Sequence, residues 1–180
     1  MAQQSNFDAV DWRWEIAGEE GRLYLLLTAS IRFATAFKND ALRLPDGASH
    51  PFSMADASYY SELRHKFARL PLNEEQQFTL AINATAAHQY LKPLASKSWY
   101  FFIARSDAPR PFQVGDYVST QAKSTGLYLV LDTDTSTSTI FLMSEKQQID
   151  EQRWFHRGTT LRVHNTRLIL EPYEIQEHQL

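Results

Sequence analysis

"WRWEIAGEEGRLYLLLTASIRFATAF", residues 12–37, decides the architecture of the first half of the chain. Trp12, Trp14 and Ile16 alternate with Arg13 and Glu15, the period-two pattern of a strand with one buried face. The four residues from Gly18 to Gly21 supply a turn, and residues 22–28 return as a more apolar strand. Ile31, Phe33 and Thr35 begin a third, so the stretch reads as an antiparallel meander.

The next segment, "LPDGASHPF" (residues 44–52), carries two prolines and a glycine and reads as a loop. Ser53 is placed to cap a helix, with Asp56 three residues on and suited to the positive end of the helix dipole. Tyr60, Leu63, Phe67 and Leu70 recur at spacings of three and four, one stripe of an amphipathic helix that Pro71 ends. Asn73 caps a second helix with Glu74 and Glu75 in its first turn. Leu80, Ala84, Ala87 and Leu91 form one of its stripes, and Phe78, Ile82 and Thr85 form a neighbouring one. A helix apolar over so much of its circumference belongs at the centre of its domain. Pro93 stops it, and "SWYFFIA" reads as a further buried strand.

Beyond "RSDAPRPF" the texture changes to short strand-like runs at spacings of roughly ten residues. These are "GDYVSTQA", "GLYLVLDT", "STIFLMS", "TLRVHN" and "RLILEP". The rhythm is that of a small barrel or sandwich. The chain therefore reads as α+β. Residues 1–104 form an N-terminal α/β domain of antiparallel strands packed with two helices, 105–111 a linker, and 112–180 a small β-barrel-like domain. The last residues, 174–180, are expected to fray.

Composition narrows the function. The net charge is -3 and evenly spread: residues 1–104 hold ten Lys/Arg against eleven Asp/Glu, and residues 105–180 hold eight against ten. Neither half is a polyanion binder by bulk charge, so nucleic acid needs a local basic patch. The absence of cysteine excludes disulfides, thiolate metal sites and a cysteine nucleophile. "MAQQSNFDAV" lacks a signal-peptide pattern, and runs such as "LYLLL" fall far short of the roughly 20 residues that span a bilayer. A cytoplasmic address, with no membrane partner, is the simplest expectation.

Familiar chemistry does not assemble. The six glycines, at 18, 21, 47, 115, 126 and 158, form no phosphate-cradling loop and no nucleophile elbow. The histidines at 50, 65, 88, 156, 164 and 178 show no helical zinc spacing, and His88 reads as a packing or surface residue. Asp132, Asp134 and Ser136 imitate the start of a calcium loop, but Thr137 stands where glycine is needed and Met143 where glutamate is needed. The acidic pairs Glu19–Glu20, Glu74–Glu75 and Asp150–Glu151 all fall at turns or a helix start. "NAT" at Asn83 falls inside the second helix, so a glycosylation role is discounted. No enzyme, metal or cofactor is expected.

Two stretches can bind. Residues 153–162, "RWFHRGTTLR", mix Arg153, Arg157 and Arg162 with Trp154 and Phe155, and a barrel presenting such residues can hold single-stranded nucleic acid. The competing reading puts the aromatics in the core and the arginines in solvent beside Asp150 and Glu151, and local charge balance favours it. The other stretch is "YLKPLASKSWYFF", residues 90–102, where Lys92 and Lys97 flank the end of the second helix. Lys92 suits the negative end of the helix dipole. Lys97 lies beyond the proline, where the dipole does not account for it, and two ammonium groups beside an aromatic cluster would attract an acidic protein surface.

The chain resembles the cell division protein ZapC family. The likeness rests on Trp12-Arg13-Trp14, the turn to Arg22 and run to Phe37, Asp56-Ala57, Asn83-Ala84, and above all the Y-L-K-P-x-x-x-K-S-W-x-F pattern of residues 90–101. It covers about the first hundred residues densely. Gly115-Asp116 and Arg167-Leu168 carry it more thinly thereafter, and the "DTDTSTST" turn does not align. The resemblance implies a non-enzymatic cytoplasmic protein at midcell that binds polymerised FtsZ, promotes lateral association of its filaments and stabilises the division ring. It also implies the α/β-then-barrel organisation already read from the residues. On that basis Leu25, Tyr60, Leu63 and Phe67 are candidates for the apolar part of an FtsZ contact and Lys92 and Lys97 for its charged part. A monomer with more than one contact surface is the favoured form. Trp99, if buried, is expected to serve stability.

Overall fold

The computed structural model describes residues 12–172 except 46, 48 and 106. The N-terminal "MAQQSNFDAV" and the segment expected to fray lie outside the described residues. β1 (Arg13–Ala17), β2 (Arg22–Leu26) and β3 (Arg32–Lys38) form the expected meander. Gly18 and Gly21 turn the first hairpin at φ of 81° and 57°, the left-handed region that a side chain disfavours. Trp14, Ile16, Leu23, Leu25, Thr35 and Phe37 all fall on the buried side. The Thr35 hydroxyl is satisfied there, donating to the Leu23 carbonyl at 2.8 Å.

The segment read as a loop after β3 contains a short strand, β4 (Ser49–Pro51), which completes the sheet in the order β3-β2-β1-β4. Proline hid this strand from a sequence reading. At the sheet edge, a residue without an N–H costs no ladder bond.

Both helices start where their caps predict. α1 (Met54–Phe67) opens with a reciprocal Ser53–Asp56 capping box and α2 (Glu74–Tyr90) with an Asn73–Gln76 box. α2 ends at Tyr90, with Leu91 as its C-cap, ahead of Pro93. Residues 80–87 of α2 are buried without interruption. It has no solvated stripe along that stretch because it packs against α1, β3 and the second sheet at once.

That second sheet has the order β10-β7-β6-β5-β11. Its strands are β5 (Tyr117–Gln121), β6 (Thr125–Thr133), β7 (Thr137–Leu142), β10 (Thr160–His164) and β11 (Ile169–Leu170). β8 (Lys146–Gln148) and β9 (Trp154–His156) form a separate hairpin. β6 is buried on both faces. Leu127, Leu129 and Leu131 join the core around α2, while Tyr128 and Val130 join a second core with Phe101, Phe112, Ile140, Leu142, Leu161 and Val163. The two halves thus share one apolar core along β6 and α2.

Two expectations are corrected. The C-terminal strands do not close into a barrel-like form: among the described residues, β10 and β11 remain at opposite edges of an open sheet. The edge of β10 is occupied instead by the chain after α2, through a parallel bridge of Ser96 to Arg162, Lys97 N–H to the Arg162 carbonyl at 2.7 Å, and His164 N–H to Ser98 Oγ at 2.7 Å. "SWYFFIA", moreover, is not a strand. Ser98–Tyr100 is a 3-10 turn, closed by Tyr100 N–H to the Lys97 carbonyl and Phe101 N–H to the Ser98 carbonyl. The Ser96 and Ser98 hydroxyls, 2.7 Å apart, hold this local conformation against an extended one.

Candidate functional site

The stretch 90–103 runs from the last residue of α2 to the surface of the second sheet. Its start is tied down by main chain: Leu42 bridges Leu91, Arg43 N–H donates to the Tyr90 carbonyl, and Lys92 N–H to the Ala41 carbonyl. Arg43 Nε also donates to the Leu91 carbonyl at 3.0 Å, so Arg43 binds carbonyls at the helix end. Nothing in the spacing of Arg43, nearly fifty residues upstream, signals that role. Lys92 is exposed, and its ammonium donates to the Asp40 carbonyl at 2.9 Å.

Lys97 is half-buried, its ammonium 5.1 Å from the centre of the Trp99 ring. Among the described residues, neither Lys92 nor Lys97 has a carboxylate at ion-pair distance. Their charge is therefore left for solvent or a partner.

The apolar candidates sit elsewhere. Leu25, Leu63 and Phe67 have no accessible surface and pack in the core, so in the folded chain they support a surface rather than touch a partner. Tyr60 is half-buried, in edge contact with Trp12, Phe52 and Phe78, and burial pushes its phenol above the usual tyrosine range. The structure thus joins Lys92 and Lys97 on one stretch of chain but does not gather all six residues. Trp99, Phe102 and Ile103, which the sequence reading placed inside a strand, stand 65, 64 and 65 % exposed.

Beside the junction, α2 and the second sheet enclose a cleft of about 500 Å³ lined by Arg43, His88, Lys92, Asp132 and Arg162. Apart from Lys92, the charged and ionisable side chains among these are engaged in structure. His88 Nδ1 donates to the Leu131 carbonyl at 2.6 Å and its ring stacks on Tyr59 at 4.2 Å, which makes His88 a packing residue. Arg162 spans Asp132 at 3.3 Å and Asp134 at 2.6 Å. Asp134 in turn accepts from the Ser136 and Thr137 N–H groups, both at 2.8 Å, which hold its carboxyl well below the usual range. Within "DTDTSTST" only residues 134–136 connect β6 to β7, and those bonds hold that turn; the residues on either side of it belong to the two strands.

The arginines of residues 153–162 are similarly committed. Arg153 lies 3.8 Å from Asp150 and stacks 4.7 Å over the Tyr100 ring, and Arg157 Nε donates to the Met143 carbonyl at 2.8 Å. With Arg162 paired to two aspartates, they do not present the unopposed stripe that a phosphate backbone requires. Phe155 is half-buried against the second core, whereas Trp154 is 41 % exposed under Lys146. Asn83 accepts from Ala36 N–H at 2.7 Å and donates to the Thr79 carbonyl, a helix-to-sheet tie inside the "NAT" triplet.

Comparison with known sequences defines the class first: both parts of the chain match models of a cell division protein. Residues 8–92 match "Cell-division protein ZapC, N-terminal" and residues 93–174 match "Cell-division protein ZapC, C-terminal". Relatives named "Cell division protein ZapC" include one from Shewanella oneidensis, 29 % identical over 93 % of this chain and 94 % of its own length. One from Xenorhabdus bovienii is 30 % identical over 90 % and 88 %, and one from Proteus mirabilis 31 % over 74 % and 67 %. The chain belongs to the ZapC family. Among the described residues, no helix is long and apolar enough to cross a membrane.

Proposed function

We propose that this chain is a non-enzymatic cytoplasmic protein that binds polymerised FtsZ directly at midcell, promotes lateral association of its filaments and stabilises the division ring. Family membership across both halves of the chain carries the reading. The junction supports it. Lys92 and Lys97 offer positive charge without carboxylate partners among the described residues, on a stretch fixed to both halves, and such groups steer an acidic partner and set its register. Lateral association requires one molecule to touch two filaments. A monomer whose halves share a core holds separate surfaces at a set spacing, which suits that task.

The test is co-sedimentation of the purified protein with FtsZ polymerised in GTP. The protein enters the pellet with polymer and stays in the supernatant without it. Recovery from the supernatant in both cases, at a salt concentration where other ring-associated proteins pellet, overturns the proposal.

A further inference from the structure

Seven large apolar side chains stand exposed among the described residues, and three of them, Trp99, Phe102 and Ile103, fall within five consecutive positions. Isolated exposed apolar residues are ordinary on a protein surface; a run of them is not. This run is also held in place. Lys97 N–H bonds the Arg162 carbonyl, Phe102 N–H the Gln121 carbonyl at 2.8 Å, and Ala104 N–H the Thr166 carbonyl at 2.8 Å. The Phe101 carbonyl accepts from Arg167 at 2.9 Å, and the Phe101 ring inserts into the second core. Main chain, the Phe101 ring and the half-buried Tyr100 fix the segment, while Trp99, Phe102 and Ile103 face water.

A surface of this kind loses little conformational entropy on binding, because its backbone is already ordered and aromatic rings have few rotors. Tryptophan is enriched among the few residues that dominate protein contacts. The rim is cationic at Lys97, which lies over Trp99 and has no carboxylate at ion-pair distance among the described residues. Around Arg153 the charges are mixed: it lies over Tyr100 with Asp150 at 3.8 Å, and Glu151 pairs with Lys123. Those carboxylates would meet an anionic bilayer with like charge, whereas a protein partner with localised acidic groups can avoid them.

We infer that Trp99, Phe102 and Ile103 form the desolvated centre of the contact with the polymer, docking against an acidic surface of the partner that carries at least one apolar side chain. Lys97 sits at its rim. This rests on the function proposed above and gives the lysines an apolar neighbour that Leu25, Leu63 and Phe67 cannot supply from the core.

The experiment compares wild type with Trp99→Ala, with the double variant Phe102→Ser/Ile103→Ser, and with Met54→Ala as an exposed apolar control. Binding is read by co-sedimentation with FtsZ polymer and folding by thermal melting. The patch variants should weaken binding at least ten-fold with melting temperatures close to wild type, and Met54→Ala should bind normally. If wild type pellets and the well-folded patch variants pellet equally, the inference falls while the proposed function stands. If wild type fails to pellet, both fall. Two other results also overturn it: a concentration-dependent wild-type dimer that the patch variants abolish, or capture of wild type but not the variants by phosphatidylglycerol-containing vesicles with unaltered pelleting on polymer. The first would assign the patch to a second copy of the chain, the second to a lipid surface.

Discussion

Replacing Asp56 by alanine tests whether a single buried carboxyl ties the first sheet to both helices. Asp56 is 1 % exposed, and its Oδ2 accepts from Ser53 N–H at 2.8 Å, Trp14 Nε1 at 3.2 Å and the Tyr90 hydroxyl at 3.3 Å. Those donors come from the start of α1, from β1 and from the end of α2. Burial and the adjoining Asp56 push the Tyr90 phenol above the ordinary range, so it remains a donor. Truncation leaves the Trp14 indole N–H unpaired in the core and breaks the capping box, at about 1–3 kcal/mol for a buried donor and about 1 kcal/mol for a cap. Relief of the buried, partnerless Oδ1 offsets part of this. The net loss is about 1–3 kcal/mol, equivalent to roughly 2–12 °C in melting temperature for a chain of this size. Asp56→Asn keeps an acceptor oxygen for the same donors and should lose less, about 1–2 kcal/mol. Thermal and urea melts followed by circular dichroism measure both. Wild-type stability in Asp56→Ala, or an asparagine variant weaker than the alanine one, would refute this account of the tie.

Gly126→Ala should destabilise by about 1–3 kcal/mol in a urea melt, from crowding in a packed core. Its Cβ would stand 2.5 Å from Gln147 Oε1, in a side chain locked by Thr120, Tyr128 and Ser124. Joint charge reversal at Lys92 and Lys97 should reduce co-sedimentation with FtsZ polymer several-fold and leave the melting temperature within about 2 °C, since Lys92 is exposed and neither ammonium has a carboxylate partner among the described residues to lose. A well-folded double reversal with full binding removes both from the contact. Asp134 has a depressed pKa, so its contribution is present above the unfolded carboxylate value of about 4 and is lost as pH falls through its lower folded value. The stability gap between wild type and Asp134→Asn should therefore hold from pH 7 to 5 and narrow below pH 4. A gap that stays constant into acid contradicts the assignment.

The elements with a strong local signal were legible in the sequence. Alternation around Trp12, Trp14 and Ile16 located the first strand, and Ser53 and Asn73 located both helix starts to the residue. The unbroken apolar surface of α2 announced its central position, although the identity of its second neighbour, the face of β6 bearing Leu127, Leu129 and Leu131, is a long-range fact that periodicity does not encode. β4 was masked by Pro51. The most instructive departure is at residues 98–103. A run of aromatic and apolar residues ordinarily means burial, and here two serines bend the backbone so that Ser98 and Phe101 are buried and Tyr100 half-buried, while Trp99, Phe102 and Ile103 stay exposed. Lys92 and Lys97 stood out in the sequence because the helix dipole accounts for one and not the other, and the structure leaves both without a carboxylate partner among the described residues; their part in a contact is a proposal. Leu25, Leu63 and Phe67 entered the same candidate set through the family resemblance and their apolar character, and an apolar character does not distinguish a docking surface from the core in which all three are buried.

Right-angle light scattering of FtsZ assembling in GTP, with and without the purified chain and paired with negative-stain microscopy of the same samples, bears most directly on the central claim. The account predicts a dose-dependent rise in scattering with filaments aligned side by side in bundles. Scattering and single filaments indistinguishable from FtsZ alone, at stoichiometric amounts of folded protein, would contradict it.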